Sequence, residues 1–460
     1  MATNIEKLII SHNKDAQNRK MVAFYDRKST MEKIGIARSE TAHSAFLANL
    51  LKSDNGLGLE ESAIMWLLHI LIEREDNATA YNSTSSKSPI PTDVKAAVLS
   101  QTLKYDIEEI TTEKVIDDVA HSYFAVNYKG KKCDDRLDIY IKLKVNGLSV
   151  KYLEIVIENK VLQDENGPKS KNSSGYDSLF QTQRYYTACS YNKSSVTAQL
   201  FVFLTPDEVE EETKAKDKHF IQISYQDVLD TIIIPQLDNN MLTSNERQEL
   251  ENYVDALNLP TLDIQAKKRI VMAMTEEARI DRQTYLKKNK ELIINVIKAK
   301  EKEAKKLSSL TEEEQILVSF ANKRKNLFAA LGMDFDTIKT TYYFVFITDG
   351  DTYRIAHLCT ADVAVNFAKL YYKHNPGLTI EQLNNDFANV KSNIFSVCNA
   401  QKNNTNSALY VKIADYVYFP KYIWSGKKIG DGKENYFSKL LTMINKTNNV
   451  SKDSKYEVIK

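Results

Sequence analysis

Two carboxylates and one ammonium group lie at the edges of two apolar runs between Asp134 and Lys160. Asp138 stands near the start of the first run, while Glu158 and Lys160 end the second. Charge inside an apolar region is costly unless it is paired or bound to a metal ion. The residues alone leave two interpretations open: a carboxylate–lysine salt bridge at the edge of a sheet, or a site that uses the carboxylates as ligands.

A pair of strands must position these groups. The apolar runs are Leu137–Leu143 and Leu148–Ile157, and the dipeptide Asn146–Gly147 between them tolerates the positive φ angles of a tight hairpin turn. We therefore predict two antiparallel strands. Because side chains alternate along a strand, Glu158 and Lys160 should project to one face and the residue between them to the other.

The spacing of these charges is that of a known motif. Asp138, followed after about twenty residues by the tripeptide Glu158–Lys160, resembles the PD-(D/E)xK nuclease superfamily, which carries an aspartate on one strand and (D/E)xK on the next. Leu137 stands where the family has proline, but the carboxylate itself is present. The resemblance implies a metal-dependent nuclease that hydrolyses phosphodiester bonds, with Mg²⁺ or Mn²⁺ as cofactor.

The same resemblance implies a role for each group. Asp138 and Glu158 would ligate the divalent ion through hard carboxylate oxygens, and the backbone carbonyl of Asn159 would supply another ligand. Lys160 would hold the attacking water and stabilise charge on the phosphate. Glu40, on a separate predicted helix, completes the set of candidate metal ligands.

That helix is predicted from Ser39 to Leu51. Glu40, His43 and Leu47 share one of its faces, which points Glu40 toward the interior. Alternatively, Glu40 merely occupies the helix N-terminus, where the helix dipole favours a negative charge. One bacterial branch of the superfamily has such a helix, with a glutamate, a His-Ser and then FLAxLL, and residues 40–51 resemble it closely. This implies that Glu40 faces the pocket and binds a second ion or orients a water.

A second supporting helix is predicted from Tyr176 to Tyr191. Its Gln181 and Tyr185 resemble the Q-x-x-x-Y element of the same nuclease branch. Residues four apart share a helix face, so the two side chains can act together. The resemblance implies that they support the pocket or touch the phosphate, and the alternative is an ordinary amphipathic helix.

The remaining elements predict the fold class. Further strands are expected at Ser122–Asn127, Leu200–Pro206 and Phe220–Ser224, with a helix from Tyr225 to Ile234. Together they fit an α/β, restriction-endonuclease-like mixed central sheet flanked by helices. The resemblance covers roughly residues 36–235.

We predict three parts in the chain of 460 residues. A nuclease domain (1–258) precedes a charged helical connector (259–310) and a C-terminal domain (311–460) of α/β or α+β type, whose role the sequence does not indicate. Lysines in the connector are candidates for nucleic-acid binding by counterion release, although such a charge run can equally be a solvated helix face. The candidate lysines are Lys287, Lys288, Lys290, Lys298 and Lys300.

Composition limits the classes of protein. The formal net charge is +1, so a nucleic-acid surface must be a local patch. None of the four cysteines forms a CxxC pair, which disfavours a zinc site or a disulfide framework. No apolar run is long enough for a membrane span, and the N-terminus lacks the order of a secretory signal. We expect a cytoplasmic protein without a membrane partner, and the sequence leaves a homo-oligomer open.

The sequence thus predicts a metal-dependent endo- or exonuclease whose partner is nucleic acid, with DNA favoured over RNA, acting in defence against foreign DNA or in DNA repair. Two alternatives stay open. One is a catalytically silent nucleic-acid-binding module on a nuclease fold. The other is a signal-gated effector whose C-terminal domain senses a partner or ligand.

Overall fold

A computed structural model shows the fold of the chain. It describes residues 3–57, 59, 62–78, 80, 88–128, 133–161, 165–169, 175–191, 193–206, 215–238, 241–263, 268–306, 308–335, 342–397, 410–414, 417–420, 424, 436–448 and 454–459. The chain forms two compact units. One consists of Arg27–Ala278, and the other combines Met1–Asp26 with Arg279–Lys460.

The described residues form nineteen α-helices and thirteen strands. The helices are α1 (Asn4–Lys14), α2 (Ala16–Asp26), α3 (Thr30–Lys33), α4 (Glu40–Leu50), α5 (Ser62–Arg74), α6 (Thr92–Leu99), α7 (Ile116–Val119), α8 (His121–Asn127), α9 (Gln181–Cys189), α10 (Tyr225–Val228), α11 (Ile234–Leu237), α12 (Ser244–Asn258), α13 (Glu276–Lys288), α14 (Lys290–Lys305), α15 (Glu312–Asn322), α16 (Lys325–Ala330), α17 (Thr360–His374), α18 (Ile380–Asp386) and α19 (Tyr436–Asn448). A π-helical segment, Leu229–Ile233, joins α10 to α11. The strands are β1 (Tyr105–Val115), β2 (Arg136–Val145), β3 (Tyr152–Asn159), β4 (Thr197–Thr205), β5 (Phe220–Ser224), β6 (Thr261–Asp263), β7 (Lys268–Ile270), β8 (Tyr342–Asp349), β9 (Thr352–Cys359), β10 (Ser396–Val397), β11 (Tyr410–Ala414), β12 (Val417–Pro420) and β13 (Ser454–Ile459).

The unit Arg27–Ala278 is built on a five-stranded sheet in the order β1-β2-β3-β4-β5. The pairs β1–β2 and β2–β3 are antiparallel, whereas β3–β4 and β4–β5 are parallel. β3 and β4 are apolar runs buried along most of their length, as expected for central strands covered on both faces. The predicted α/β fold, a restriction-endonuclease-like mixed sheet flanked by helices, is confirmed.

Two apolar cores cover the two faces of this sheet. On one face, Ile139 and Ile155 pack with residues of α4, α5 and α12. On the other face, Tyr140 and Val156 pack with residues of α8 and α9. The ends of β2 and β3 are therefore held between two helical layers, which fixes the charged residues at those ends.

The connection between β2 and β3 is longer than predicted. β2 ends at Val145 and β3 begins at Tyr152, so the expected tight turn at Asn146–Gly147 is part of a loop over residues 146–151. Gly147 does take a positive φ of 75°. The loop is held from outside the hairpin, because the Ser149 hydroxyl donates a hydrogen bond of 2.9 Å to Asp93 in the first turn of α6.

The strand predicted at Ser122–Asn127 is wrong, because these residues form α8. Helical spacing lets Tyr123 and Phe124 enter the core while Val126 stays 63% exposed. The first strand of the sheet is instead β1, whose sequence YDIEEITTEKV has no continuous apolar run. A half-buried edge strand does not need one, and its charges protect the open edge from pairing with other chains.

The second unit is of α+β type. Strands β8, β9 and β13 form an antiparallel sheet in the order β13-β8-β9, and β10, β11 and β12 form another in the order β10-β12-β11. Residues of α17, α18 and α19 pack in one apolar core with β8 and β13. Strand β13 was not predicted from the sequence.

The segment predicted to be a charged helical connector contains two strands and two helices among its described residues. Residues 259–310 begin with the hairpin β6–β7 and continue into α13 and α14, with the division between the two units at Ala278. The side-chain amides of Asn18 and Asn289 exchange buried hydrogen bonds of 3.2 and 3.0 Å, which tie α2 to the start of α14. The limits 1–258, 259–310 and 311–460 stay a prediction of where the chain divides into folding domains.

None of the helices formed by the described residues is both long enough and apolar enough to cross a bilayer.

Candidate active site

The register of β2 and β3 brings the two predicted carboxylates together. Ile139 pairs with Ile157, and one step further along the ladder Asp138 stands opposite Glu158. Residues directly opposite each other project to the same face of a sheet. The backbone N–H of Asn159 donates a hydrogen bond of 2.7 Å to Oδ2 of Asp138, which fixes this carboxylate beside the end of β3.

Lys160 lies between two carboxylates. Its Nζ is 2.7 Å from Oε1 of Glu158 and 3.3 Å from Oε2 of Glu40, and its side chain is only 6% exposed. The backbone N–H of Lys160 donates to the carbonyl of Leu204 at the end of β4. Lys160 directly follows β3, and its backbone is therefore held by β4, the parallel neighbour of β3.

Glu40 enters the site from the first turn of α4. Ser39 caps this helix, with its hydroxyl accepting from the N–H of Ala42. One carboxylate oxygen of Glu40 contacts Lys160, and the other accepts a hydrogen bond of 3.3 Å from the N–H of Val161. The Glu40 side chain is 31% exposed, so this carboxylate borders solvent. It thus contacts Lys160 and Val161 as well as occupying the helix N-terminus, and its role toward a metal ion or a water stays a prediction.

A comparison of the sequence with known families identifies the superfamily. The sequence profile of the PD-(D/E)XK nuclease superfamily matches residues 30–322, which is more than half of the chain. The chain belongs to this superfamily. No curated protein and no solved structure matched the chain. The superfamily assignment therefore rests on the profile, and the assignment of Asp138, Glu158 and Lys160 to the motif stays a prediction.

The environment of the carboxylates disfavours their charged forms. Burial raises the pKa of Asp138 to about 6, and the attraction of Lys160 only partly offsets it. Burial and the charge of Asp138 raise the pKa of Glu158 well above its ordinary value. Burial acts to lower the pKa of Lys160, but the surrounding carboxylates outweigh it, and the net pKa is raised. Because the folded state binds these protons more tightly than the unfolded chain, the raised pKa values of Asp138 and Glu158 favour folding at a pH below the ordinary pKa of a carboxyl group. This contribution to stability is lost as the pH rises through the raised pKa values.

Glu158 has the properties of a cation ligand. The residue is 0% exposed. Its Oε1 forms an ion pair of 2.7 Å with Lys160, whereas Oε2 accepts no hydrogen bond within the described part of the chain. A buried carboxylate oxygen without a donor is costly and needs a partner. The hard oxygens of Asp138 and Glu158 fit Mg²⁺ or Mn²⁺, the divalent ions typical of the superfamily.

Gln181 and Tyr185 lie on α9, and Tyr185 packs on the same face of the sheet as Val156. Gln181 donates a hydrogen bond of 2.8 Å to the hydroxyl of Tyr185, which in turn donates to the carbonyl of Arg136 at the start of β2. Asn166 donates to the side-chain oxygen of Gln181 at 3.0 Å. Tyr185 is buried, and burial together with the charge of Glu158 raises its pKa well above the ordinary value. These contacts favour a supporting role over contact with a phosphate.

A second acidic group lies just before β2 but already has cationic partners. Ligand atoms of Cys133, Asp134 and Asp135 lie within 4.8 Å of one another. Lys169 is 3.2 Å from Asp134 and 3.1 Å from Asp135, and the guanidinium of Arg184 is 2.9 Å from Asp135. These pairs neutralise the group and tie the start of β2 to α9.

Glu113 is a neighbour of the site that the sequence analysis missed. Thr112 pairs with Ile139 and Lys114 with Leu137, so Glu113 stands at the position opposite Asp138 on β1. Its φ of 54° is left-handed, which is uncommon for a residue other than glycine. The charge of Glu113 is one of the causes that raise the pKa of Asp138. No sequence signal marked it, because β1 was not predicted as a strand.

The candidate nucleic-acid-binding lysines lie on α13 and α14, in the other compact unit. Lys298 is exposed. The other four take part in ion pairs, which reduce the positive field that phosphate binding requires. The pairs are Lys287–Asp351 (3.1 Å), Lys288–Asp15, Lys290–Glu457 (3.3 Å) and Lys300–Glu303 (2.5 Å). Nucleic-acid binding by these lysines stays a prediction.

Proposed function

We propose that the protein is a metal-dependent nuclease that hydrolyses phosphodiester bonds, with DNA favoured over RNA as substrate and with a role in defence against foreign DNA or in DNA repair. The observation that supports it most is the fully buried Glu158 carboxylate, which stands opposite Asp138, pairs with Lys160 through Oε1 and has an Oε2 that accepts no hydrogen bond among the described residues. Superfamily membership supports a nucleic-acid substrate.

Asp138 and Glu158 would hold the divalent ion, with the backbone carbonyl of Asn159 as a further ligand and Glu40 at its edge. When bound, the ion would neutralise charge on the phosphate and make water a better nucleophile. Lys160 would stabilise negative charge on the phosphate and hold the attacking water, since its ammonium group is already fixed between carboxylates. Glu40, the more exposed carboxylate, would orient that water.

Chemistry of this kind depends on preorganisation. The backbone N–H groups of Asn159 and Val161 hold the carboxylates of Asp138 and Glu40, and the carbonyl of Leu204 holds the backbone of Lys160. Charges that do not need to reorganise during reaction stabilise a transition state better than mobile ones. Gln181 and Tyr185 would contribute by fixing the backbone at the start of β2.

A cleavage assay with a matched pair of variants tests the proposal. Full-length protein is incubated with plasmid DNA or with RNA in Mg²⁺, in Mn²⁺ and in a chelator. Glu158→Gln should abolish cleavage, whereas Glu154→Gln should retain it. Glu154 is a fair control because it lies on the same strand, is also buried and pairs with Lys193 instead of facing the site.

Cleavage of DNA or RNA that requires metal and Glu158 would support the proposal. Absence of cleavage under all conditions, or equal cleavage by wild type and Glu158→Gln, would contradict it. Binding of nucleic acid without cleavage would favour the silent or gated effector instead.

A further inference from the structure

The side chain of Asn159, the middle residue of the Glu-x-Lys motif, is fully buried and fully hydrogen-bonded. Its amide nitrogen donates to the backbone carbonyl of Glu40 (3.2 Å) and to the hydroxyl oxygen of Ser44 (3.1 Å). Its amide oxygen accepts a hydrogen bond of 2.8 Å from the hydroxyl of Tyr225. These contacts use both amide hydrogens and the carbonyl oxygen.

This one residue joins three elements of the site. Its backbone N–H holds Asp138 on β2, and its side chain reaches α4, which carries Glu40, and α10, which begins at Tyr225. Asn159 itself stands between Glu158 and Lys160 on the chain. The relative positions of the carboxylates and the ammonium group therefore depend on the orientation of this amide.

Ser44 and Tyr225 are themselves held in place. Both are buried. The Tyr225 ring packs edge-on against His43 at 5.5 Å, and His43 is fixed between the carbonyl of Ala37 and the hydroxyl of Tyr253. Burial lowers the pKa of His43 to about 4, so this histidine is neutral near neutral pH and acts as a hydrogen-bonding spacer.

We infer that Ser44 and Tyr225 are positioning residues of the active site, which act through the Asn159 side chain to set the placement of Glu40 and Lys160. The inference rests on the proposed nuclease function and adds to it two residues outside the motif. A misplacement of about 1 Å in a catalytic group can reduce the rate by about 10²-fold, so loss of one of these bonds should affect turnover more than substrate binding.

Two tyrosine-to-phenylalanine variants test this inference. Tyr225→Phe removes the hydroxyl that binds Asn159 and keeps the ring. Tyr285→Phe is the matched control, because Tyr285 is also buried and its hydroxyl also shares a hydrogen bond with a histidine, His12, but it belongs to the other compact unit. Each variant of the full-length chain is measured for kcat and KM in cleavage, for thermal unfolding and for Mn²⁺ affinity without substrate.

We expect Tyr225→Phe to reduce kcat by about tenfold to 10²-fold with KM little changed, and Ser44→Ala to follow the same trend. The Mn²⁺ affinity of Tyr225→Phe should stay within about twofold of wild type, because the hydrogen bond from the Asn159 backbone to Asp138 remains. Tyr285→Phe should lose thermal stability to a similar extent and keep its kcat. An equal loss of kcat in both tyrosine variants would assign the hydroxyls a general structural role and overturn the inference.

A wild-type kcat in Tyr225→Phe and Ser44→Ala would overturn it as well, while leaving the nuclease function intact. Failure of the wild-type chain to cleave would instead contradict the proposed function on which the inference rests. Asn159→Asp gives an independent reading. It keeps the shape but loses both amide donors and adds a charge facing the Glu40 carbonyl, so its kcat should fall at least as far as that of Tyr225→Phe.

Discussion

Replacement of Lys160 by alanine should separate the chemical role of this residue from its structural one. The ammonium group is 2.7 Å from a completely buried carboxylate and 3.3 Å from a second one. Its removal leaves the buried Glu158 beside the negative charges of Asp138 and Glu40 without the cation that pairs with it. Both stability and turnover should therefore change, with different dependence on pH and metal.

The magnitudes follow from burial. Removal of one partner of a buried ion pair costs about 3–5 kcal/mol, because the other charge is left uncompensated. Glu158 can avoid part of this cost by binding a proton, since its pKa is already raised. The loss of stability in Lys160→Ala should thus be largest at alkaline pH without metal, and Mn²⁺ or a lower pH should restore it. Loss of one preorganised charge at the transition state should reduce kcat by about 10²–10³-fold, or about 3–4 kcal/mol.

The assay compares Lys160→Ala with Lys193→Ala in thermal unfolding and in cleavage. Lys193 is the appropriate control, because it pairs with Glu154, which lies on β3 together with Glu158 but outside the site. Both variants should lose stability, and only Lys160→Ala should lose kcat. Lys160→Arg should recover cleavage incompletely, since a planar guanidinium does not replace a compact ammonium. Wild-type turnover in Lys160→Ala with unchanged metal dependence would mean that Glu158 and Lys160 form a structural salt bridge only.

Three further predictions follow from the fold and its charges. The pKa of Asp138 is raised to about 6 from an ordinary 3.8, which corresponds to about 3 kcal/mol of stability lost by wild type at high pH. Without metal, Asp138→Asn should therefore gain stability relative to wild type as the pH rises from about 4 to 8. A difference in stability that stays constant with pH would contradict this. Replacement of the five candidate lysines in 287–300 by glutamine should weaken nucleic-acid binding at all sequences alike and flatten its salt dependence, whereas unchanged binding would indicate a solvated helix face. Limited proteolysis should cut within 259–310 and release a fragment that contains the five-stranded sheet, and resistance of this segment would indicate one continuous folding unit.

The central hairpin was predictable because local pattern and chemistry agree there. The apolar runs of β2 and β3 defined two strands, and alternation correctly separated Asn159 from its charged neighbours. Four-residue spacing likewise placed Gln181 beside Tyr185, where they share a hydrogen bond. Each of these features depends on residues close in the chain, where sequence periodicity carries the information.

Features that depend on distant residues were not predictable. β1 is a charged edge strand stabilised by pairing with β2, so it lacks the apolar run that marks a strand, and Glu113 was missed with it. The partners of the Asn159 side chain lie 66, 115 and 119 residues away along the chain. Residues 122–127 form a helix because tertiary packing buries two aromatic rings on one face, although their composition favours a strand.

The most direct test of the account is the position of a bound divalent ion. Crystals of the full-length protein soaked in Mn²⁺ should show an anomalous peak in contact with the carboxylates of Asp138 and Glu158, and the peak should disappear in Glu158→Gln. The absence of a peak at this position in the wild-type crystals, or a peak confined to the Cys133–Asp135 group, would contradict the assignment of the active site.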